Sequence, residues 1–350
     1  MAFALMALAA VTVLGPRSSG ADEATPALAN YDQQVDKAID AALAYLAKQQ
    51  QTDGSFASGS MRGSTGIASF CVMAFLAKGH TPGAGPYGDV INKGVDYVLS
   101  QAKPGGMIVG PAPSHGPMYC HTISTLMLSE VSGMVDKERQ KKIDKVLPAA
   151  LKLIVSAQQV RKPANQQGGW RYSPTSSDSD ISCTGWALMS LRSARNGGSA
   201  VPKEAIDQAV KFIMNCRMPD GGFAYQPGGG SGLARTGTAL LCLELCGRHA
   251  DSSCAGAGDW ILKHLPDRIG GNDFFYYALY YCSQGMFQLG GTHWEKWAAH
   301  IYELMVKFQQ KDGSWPQGGG NEATAGPCYS TALAVLAMTV SYRQLPIYQR

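Results

Sequence analysis

Two kinds of helical segment alternate along the chain. Segments of the first kind carry apolar residues at helical spacing with polar faces between them, as at Val35, Ile39, Leu43 and Leu46. Segments of the second kind are small and apolar almost all round, as in STGIASFCVMAFLAKG and YSTALAVLAMTV. A helix with a single apolar stripe packs by one face, whereas a helix that is apolar all round is buried on every side. The alternation predicts a layer of outer helices around a set of inner ones.

A short turn motif joins an outer segment to the inner segment that follows it. Its four clear copies read KQQQTDGSF, SAQQVRKPANQQGGW, NCRMPDGGF and KFQQKDGSW, with the aromatic residues Phe56, Trp170, Phe223 and Trp315 at their ends. Gln50 and Gln309 both stand three residues before the aspartate of an Asp-Gly pair. We expect a structural role, because a glutamine amide can bond to the backbone of the next helix while Asp-Gly reverses the chain.

Two weaker copies, INKGVDYVLSQAKPGGM and DWILKHLPDRIGG, fill the gaps and bring the number of helical hairpins to six. The predicted fold is all-α, an α/α toroid of six inner and six outer helices. An open solenoid needs a polar cap at each end, whereas a closed ring joins its last hairpin to its first. The first and last copies are the best formed, which favours closure.

The N-terminal stretch MAFALMALAAVTVLG is apolar and is followed by small and then acidic residues, as is typical of an export signal. It is short for a membrane span, which needs about 20 apolar residues. We predict a signal peptide over 1–21, a linker over 22–29, a single toroid domain over 30–345 and a C-terminal tail over 346–350. The expected location is periplasmic or secreted, with no stable membrane span after cleavage.

Charge and cysteine content exclude some classes of protein. The formal net charge is +4, and no basic block exceeds the short KERQKK segment, so nucleic acid is not an expected partner. The nine cysteines are scattered through apolar helical segments such as ASFCVMAF. Buried cysteine behaves as a small hydrophobic residue, so we expect reduced, packed thiols rather than a disulfide framework.

The turn motif carries a family resemblance. YLAKQQQTDGSF and VKFQQKDGSW resemble the glutamine-tryptophan repeat of squalene and oxidosqualene cyclases and of protein prenyltransferase beta subunits. GGWRYSPTSSDSDISCTGWALMSLRSA and the ending LPIYQR are similar to short exported bacterial paralogues of that prenyltransferase/squalene cyclase repeat superfamily. The resemblance spans residues 30 to 345. It implies an α/α toroid, and a hydrophobic, isoprenoid-like ligand held inside the ring.

In such a toroid the inner helices run in one direction, so their first turns meet at one mouth of the ring. The expected ligand-binding residues are those at the predicted helix starts, His121, Arg235, Asp273, Tyr276, Tyr277 and Tyr329. Helix N-termini at the mouth would also favour an anionic group.

The resemblance also implies two kinds of catalytic site. Triterpene cyclases protonate an alkene with the middle acid of an Asp-x-Asp-Asp motif, and DSDIS supplies Asp178 and Asp180 as catalytic candidates. Ile181 stands where the last aspartate of that motif belongs, so the motif is broken. The alternative for Asp180 is to cap the inner helix that begins beside it.

Prenyltransferases hold zinc with an aspartate, a cysteine and a histidine, as the resemblance implies. Here Asp180 and Cys183 share one helix, and the helices that follow it have no histidine at their starts. An alternative metal set is Cys120, His121, Cys183 and Cys328, although adjacent residues of a helix point to different sides. We predict no cofactor and do not expect zinc.

Three functions from different classes remain. The leading one is a toroid that binds a hydrophobic, isoprenoid-like molecule, with any activity being of the terpene cyclase or prenyltransferase kind and catalysis left open. The second is a non-catalytic scaffold of the cell envelope that binds a protein or lipid. The third is a polysaccharide-active α/α-barrel enzyme, which needs paired carboxylates. We rank it last, because Asp178, Asp180 and Asp273 are the only carboxylates expected at the mouth, with no glutamate.

Overall fold

The two predicted layers are both present in a computed structural model, which describes residues 26–57, 59–111, 113, 116–270 and 274–349. These residues form twelve α-helices. The outer helices are α1 (Pro26–Lys48), α3 (Gly88–Ser100), α5 (Lys137–Gln158), α7 (Lys203–Asn215), α9 (Ser252–Lys263) and α11 (Gly291–Phe308). The inner helices are α2 (Thr65–Ala77), α4 (Pro117–Val131), α6 (Ile181–Asn196), α8 (Leu233–Leu245), α10 (Phe275–Leu289) and α12 (Pro327–Met338).

The inner helices form a closed ring. Each packs against the next in chain order, and α12 packs against α2. The seam is reinforced on the outside, where α1 packs against both α11 and α12. The prediction of six hairpins closed into an α/α toroid is confirmed.

In three of the four clear copies of the turn, a glutamine side chain links the turn to the outer helix of the following hairpin. Its amide nitrogen donates to a carbonyl oxygen near the middle or start of that helix. The three bonds run from Gln50 to Val90 (2.8 Å), from Gln158 to Ala205 (2.8 Å) and from Gln309 to Ala38 (2.7 Å). The last of these crosses the seam, so the same contact that joins neighbouring hairpins also closes the ring.

The aromatic residue of the turn lies between its own outer helix and the inner helix that follows. The Trp170 indole donates to the Ile154 carbonyl at 2.7 Å, and its backbone N–H donates to the Thr184 hydroxyl at 3.0 Å. Phe223 and Trp315 make the same backbone bond, to the Thr236 and Thr331 hydroxyls. All four aromatic residues of the clear copies are buried, as their structural role requires.

The predicted end of the domain was wrong. Residues of the expected tail fold back into the ring, where Ile347 and Tyr348 are buried. The Ile347 N–H donates to the buried Glu130 carboxylate at 3.1 Å, and the Tyr348 hydroxyl bonds to that of Tyr280. Their apolar and aromatic side chains gain more from burial than a free tail would.

The start of the chain differs from the prediction too. Helix α1 begins at Pro26, inside the expected linker. The predicted signal peptide over 1–21 lies outside the described residues. Within the described part of the chain, no helix combines the length and the hydropathy that a bilayer span requires.

The nine cysteines, all within the described residues, are free thiols. Eight of them are buried and Cys246 is half-buried. The expectation of reduced cysteines packed like small hydrophobic residues agrees with this arrangement.

The turn glycine at the seam provides a test of ring closure. Gly313 has φ +92°, and a Cβ there would overlap the Ala41 carbonyl oxygen of α1. We expect Gly313→Ala to lower the free energy of unfolding by about 3 kcal/mol, from left-handed strain plus steric overlap. Urea unfolding measures this loss.

Gly105→Ala is the matched control for that variant. Gly105 has φ +89°, but no atom lies within 4 Å of its built Cβ, so only the strain term of about 1 kcal/mol is expected. Equal losses in the two variants would contradict the close approach of the Ala41 carbonyl to the turn at Gly313.

Candidate functional site

A cavity of about 570 Å³ opens at the end of the ring where the inner helices begin. Each of the six inner helices contributes to its wall from its first turns or its cap, so these helix starts do converge on one mouth. Aromatic residues make up eight of the twenty described residues that line it, including Phe70, Tyr119, Tyr172, Tyr225, Tyr277 and Tyr329. An aromatic wall of this kind favours an apolar or unsaturated occupant.

Trp186 of α6 lies at the centre of the aromatic cluster. Its ring stacks on Tyr280, with centroids 5.3 Å apart and an interplanar angle of 15°, and lies 5.2 Å from Phe70. Tyr280 in turn bonds to Tyr348 of the C-terminal segment. The C-terminal segment, which folds back onto the ring, thus packs beneath the wall of the cavity and supports it.

Three of the ligand-binding candidates line the cavity: Arg235, Tyr277 and Tyr329. The Arg235 guanidinium donates to the Gly230 carbonyl of the preceding glycine-rich loop at 2.7 Å. The Tyr277 hydroxyl is 3.4 Å from the Ser182 carbonyl oxygen. Their position follows from the first turns of α8, α10 and α12, as the toroid geometry predicted.

His121 does not line the cavity, and its expected placement was wrong. Its Nδ1 accepts a hydrogen bond from the Ile108 N–H at 3.1 Å, and its Nε2 donates to the Ala150 carbonyl at 3.2 Å. Burial lowers the pKa of the imidazole to about 4, so the ring is neutral. His121 thereby does in the second hairpin what the Thr184 hydroxyl does in the third.

One other ligand-binding candidate lies elsewhere. The Tyr276 side chain does not line the cavity. It lies on another side of α10, where its hydroxyl donates to the Pro316 carbonyl at 2.6 Å. Asp273 lies outside the described residues. Successive residues of a helix point in different directions, so Tyr276 and Tyr277 cannot both face the ring.

The catalytic candidates Asp178 and Asp180 are not part of the cavity wall. Asp180 is buried and caps α6, with its carboxylate accepting from the Cys183 N–H at 2.8 Å. Burial raises the pKa of this carboxyl to about 6. Asp178 is half-exposed and lies 3.3 Å from the Arg171 guanidinium. Asp180 therefore has the alternative role expected for it, that of a helix cap, and its carboxylate is held against the backbone of α6.

The alternative metal set is not assembled. Of Cys120, His121, Cys183 and Cys328, only Cys120 lines the cavity, and its sulfur lies 3.5 Å from the Ser64 hydroxyl. No group of three histidine, cysteine or acidic side chains among the described residues is arranged to hold a metal ion. The imidazole of His121 is directed into the outer layer, which separates it from the three thiols.

Glu322 is a cavity residue that the sequence did not indicate, and the expectation of no glutamate at the mouth was wrong. It lies in the 3-10 turn Gly320–Ala325 and lines the cavity with 3% of its surface exposed. Its two carboxylate oxygens accept the Tyr276 N–H at 3.1 Å and the Tyr277 N–H at 3.0 Å. Burial raises the pKa of this carboxyl to about 7, against the effect of these bonds.

The buried cap of α6 yields a pH-dependent prediction. Because the pKa of Asp180 is raised from 3.8 to about 6, its contribution to stability is full below pH 3.8 and is lost as the pH rises through 6. Asparagine keeps the cap without the charge. We expect Asp180→Asn to gain about 2 kcal/mol relative to wild type between pH 4 and pH 7 in urea unfolding.

Asp251→Asn serves as the control for this measurement. Asp251 caps α9, and its hydrogen bonds to Ser253 lower the pKa of its carboxyl. Asparagine there should bring no gain as the pH rises, because the native carboxylate is stabilised in its ionised form. A parallel response of the two variants would contradict the burial argument for Asp180.

Comparison with solved structures identifies the same architecture in proteins of several functions. The type II terpene cyclase MstE from Scytonema, in complex with merosterolic acid A, matches with a TM-score of 0.59 and 16% identity, covering 90% of this chain and 99% of that one. A GH76 alpha-mannanase of Bacteroides thetaiotaomicron matches at 0.58 with 12% identity over 91% and 98% of the two chains. The Candida albicans protein geranylgeranyltransferase-I complexed with GGPP matches at 0.53 with 12% identity, over 81% and 88%. These similarities show the fold alone.

Comparison of the sequence itself gives a match to one family. A search of curated proteins gives no match. The prenyltransferase alpha-alpha toroid domain matches residues 1–84, 101–273 and 261–349, which is nearly the whole chain. Together with the closed ring of six hairpins, this match shows that the chain belongs to the prenyltransferase alpha-alpha toroid family.

Proposed function

We propose that this protein binds a hydrophobic, isoprenoid-like molecule in the cavity of its ring. The observation that carries the proposal is the aromatic wall of a cavity of about 570 Å³, a size within the range of about 300–1,000 Å³ typical of small-molecule sites. The faces of Phe70, Trp186 and Tyr277 offer contact to alkyl chains and double bonds. Polar groups are few, and the charged ones among the described lining residues are Arg235 and Glu322.

The chemistry of the relatives supports the choice of ligand class. MstE is a type II terpene cyclase that was solved with its product merosterolic acid A, and the Candida albicans transferase was solved with GGPP. Aromatic rings also stabilise positive charge through cation–π contacts, which suits isoprenoid chemistry. The proposal is one of binding, and it gives Asp178 and Asp180 no acid role, because neither carboxylate lines the cavity.

The two alternatives receive less support. A glycosidase of this fold would need two carboxylates across the site, and Glu322 is the one carboxylate among the described residues of the wall. A scaffold that binds a protein partner would not need a concave aromatic cavity.

The proposal includes the envelope location, which rests on the export signal expected over 1–21.

Filling the cavity tests the proposal. Ala234 lines the wall at the start of α8, so a tryptophan there would occupy space that a ligand needs. We expect Ala234→Trp to weaken the binding of geranylgeraniol by at least about tenfold, which is 1.4 kcal/mol. Co-elution of tritiated geranylgeraniol with the protein in gel filtration measures this binding. Circular dichroism establishes that the variant is folded.

Ala255→Trp is the matched control, since Ala255 is exposed on the outer helix α9. It should bind geranylgeraniol as the wild type does. Equal affinity in wild type and Ala234→Trp would place the ligand outside the ring, and no binding by the wild type would remove the proposal.

A further inference from the structure

The proposed function assigns no role to Glu322, although contacts with the main chain fix the position of its carboxyl group. Both of its carboxylate oxygens are held by backbone N–H groups of the first turn of α10. On the other side is the run of glycines at 318–320, and a Cβ at Gly318 would overlap the Glu322 Oε2 atom. The main chain thus encloses one side of the carboxyl group while its remaining side belongs to the cavity wall.

We propose that Glu322 is the polar anchor of the cavity and that it holds its occupant in the protonated form. The carboxyl O–H donates a hydrogen bond to an oxygen atom of the ligand, and loading the cavity takes up one proton from solvent. This inference rests on the proposed function and specifies the ligand class, a neutral isoprenoid with a hydroxyl or ether oxygen at one end.

The geometry leaves room for this bond. The two carboxylate oxygens have four lone-pair directions. The backbone N–H groups of Tyr276 and Tyr277 take two of them, and the Phe275 N–H and the Tyr329 hydroxyl also bond to the ionised carboxyl. On protonation the O–H replaces the bond from Tyr329, which also lines the cavity, so the helix N–H groups are not displaced. A protonated carboxyl is a donor as well as an acceptor, whereas an ionised one only accepts.

Two opposing effects act on the free protein. Burial favours the neutral carboxyl, and the hydrogen bonds from the start of α10 favour the anion, so the pKa lies at about 7. An apolar ligand displaces water from the aromatic cavity and adds to the desolvation. The pKa of Glu322 then rises further, which couples binding to proton uptake.

Of three tyrosines and one carboxyl group near Glu322, all but one keep a single protonation state at neutral pH. Burial raises the pKa of Tyr276, Tyr277 and Tyr329, whose phenols stay protonated. Arg235 of α8 contributes a guanidinium to the same wall. The exception is Asp180 of α6, which interacts electrostatically with Tyr277 and has a pKa of about 6, so its titration needs a control.

Calorimetry in buffers of different ionisation enthalpy measures the proton uptake directly. With farnesol as probe, we expect close to one proton taken up at pH 8 and none at pH 5, where Glu322 is already protonated. By linkage, affinity should be about tenfold weaker at pH 8 than at pH 6. The variant Glu322→Gln has no titratable group at this position, so any farnesol binding that it retains should show no proton uptake and no dependence on pH.

Two controls separate Glu322 from other carboxylates. Glu303 is exposed on α11, and Glu303→Gln should retain the proton uptake of the wild type. Asp180→Asn removes the neighbouring buried carboxyl and should retain it too. Proton uptake that survives in Glu322→Gln, or disappears in Asp180→Asn, overturns the inference.

A second measurement uses the wild-type chain and so does not depend on how a variant folds. Farnesyl methyl ether keeps the oxygen acceptor of farnesol but has no hydroxyl proton. If Glu322 is the donor, the ether should bind at pH 6 within about threefold of farnesol, less than 1 kcal/mol. Loss of ether binding by tenfold or more would mean that Glu322 accepts from the ligand as an anion, and the inference would be wrong.

The outcomes distinguish this inference from the proposed function. Farnesol binding that Ala234→Trp abolishes, but that does not vary with pH, keeps the function and removes the role of Glu322. Failure of the wild type to bind farnesol or geranylgeraniol at any pH removes both.

Discussion

The fold depends on a hydrogen bond between a turn glutamine and the outer helix of the next hairpin. A helical hairpin of this size buries its apolar face only when neighbours cover it, and the glutamine fixes where the neighbour lies. Gln309 makes this bond to Ala38, the same contact that Gln50 makes to Val90, so the last hairpin joins the first as any hairpin joins the next. Closure therefore uses the contact that also joins the first hairpin to the second and the third to the fourth.

Closure in turn creates the cavity. Six inner helices that run in one direction present their first turns to one end of the ring, and aromatic side chains there leave a space they do not fill. The C-terminal segment packs against the opposite side of the aromatic cluster, where the Tyr348 hydroxyl bonds to the Tyr280 hydroxyl. The buried Glu130 holds this segment by accepting the Ile347 N–H and the Ser193 hydroxyl, and burial raises the pKa of its carboxyl to about 7.

Three buried carboxyl groups with raised pKa values thus have different relations to the ring. Asp180 caps a helix and Glu130 fastens the C-terminus, so both are structural. Glu322 also bonds to a helix start, yet it alone of the three lines the cavity. A raised pKa by itself does not separate a binding group from a structural one, because burial has the same effect on each. Position relative to the cavity makes the distinction.

The sequence by itself determined the architecture, since helical periodicity and the repeated turn are local properties that each hairpin expresses. It also predicted the mouth of the ring and the position of Arg235, Tyr277 and Tyr329, which follow from helix starts. Only the tertiary structure decided the rest. His121 stands at a helix start, but its imidazole bonds to the turn at Ile108 and to Ala150 of the outer helix instead of lining the cavity. Glu322 lies in a glycine-rich loop without periodicity, and Tyr348 lies near the chain end. Both reach the ring because of contacts with residues distant in sequence, which no local pattern encodes.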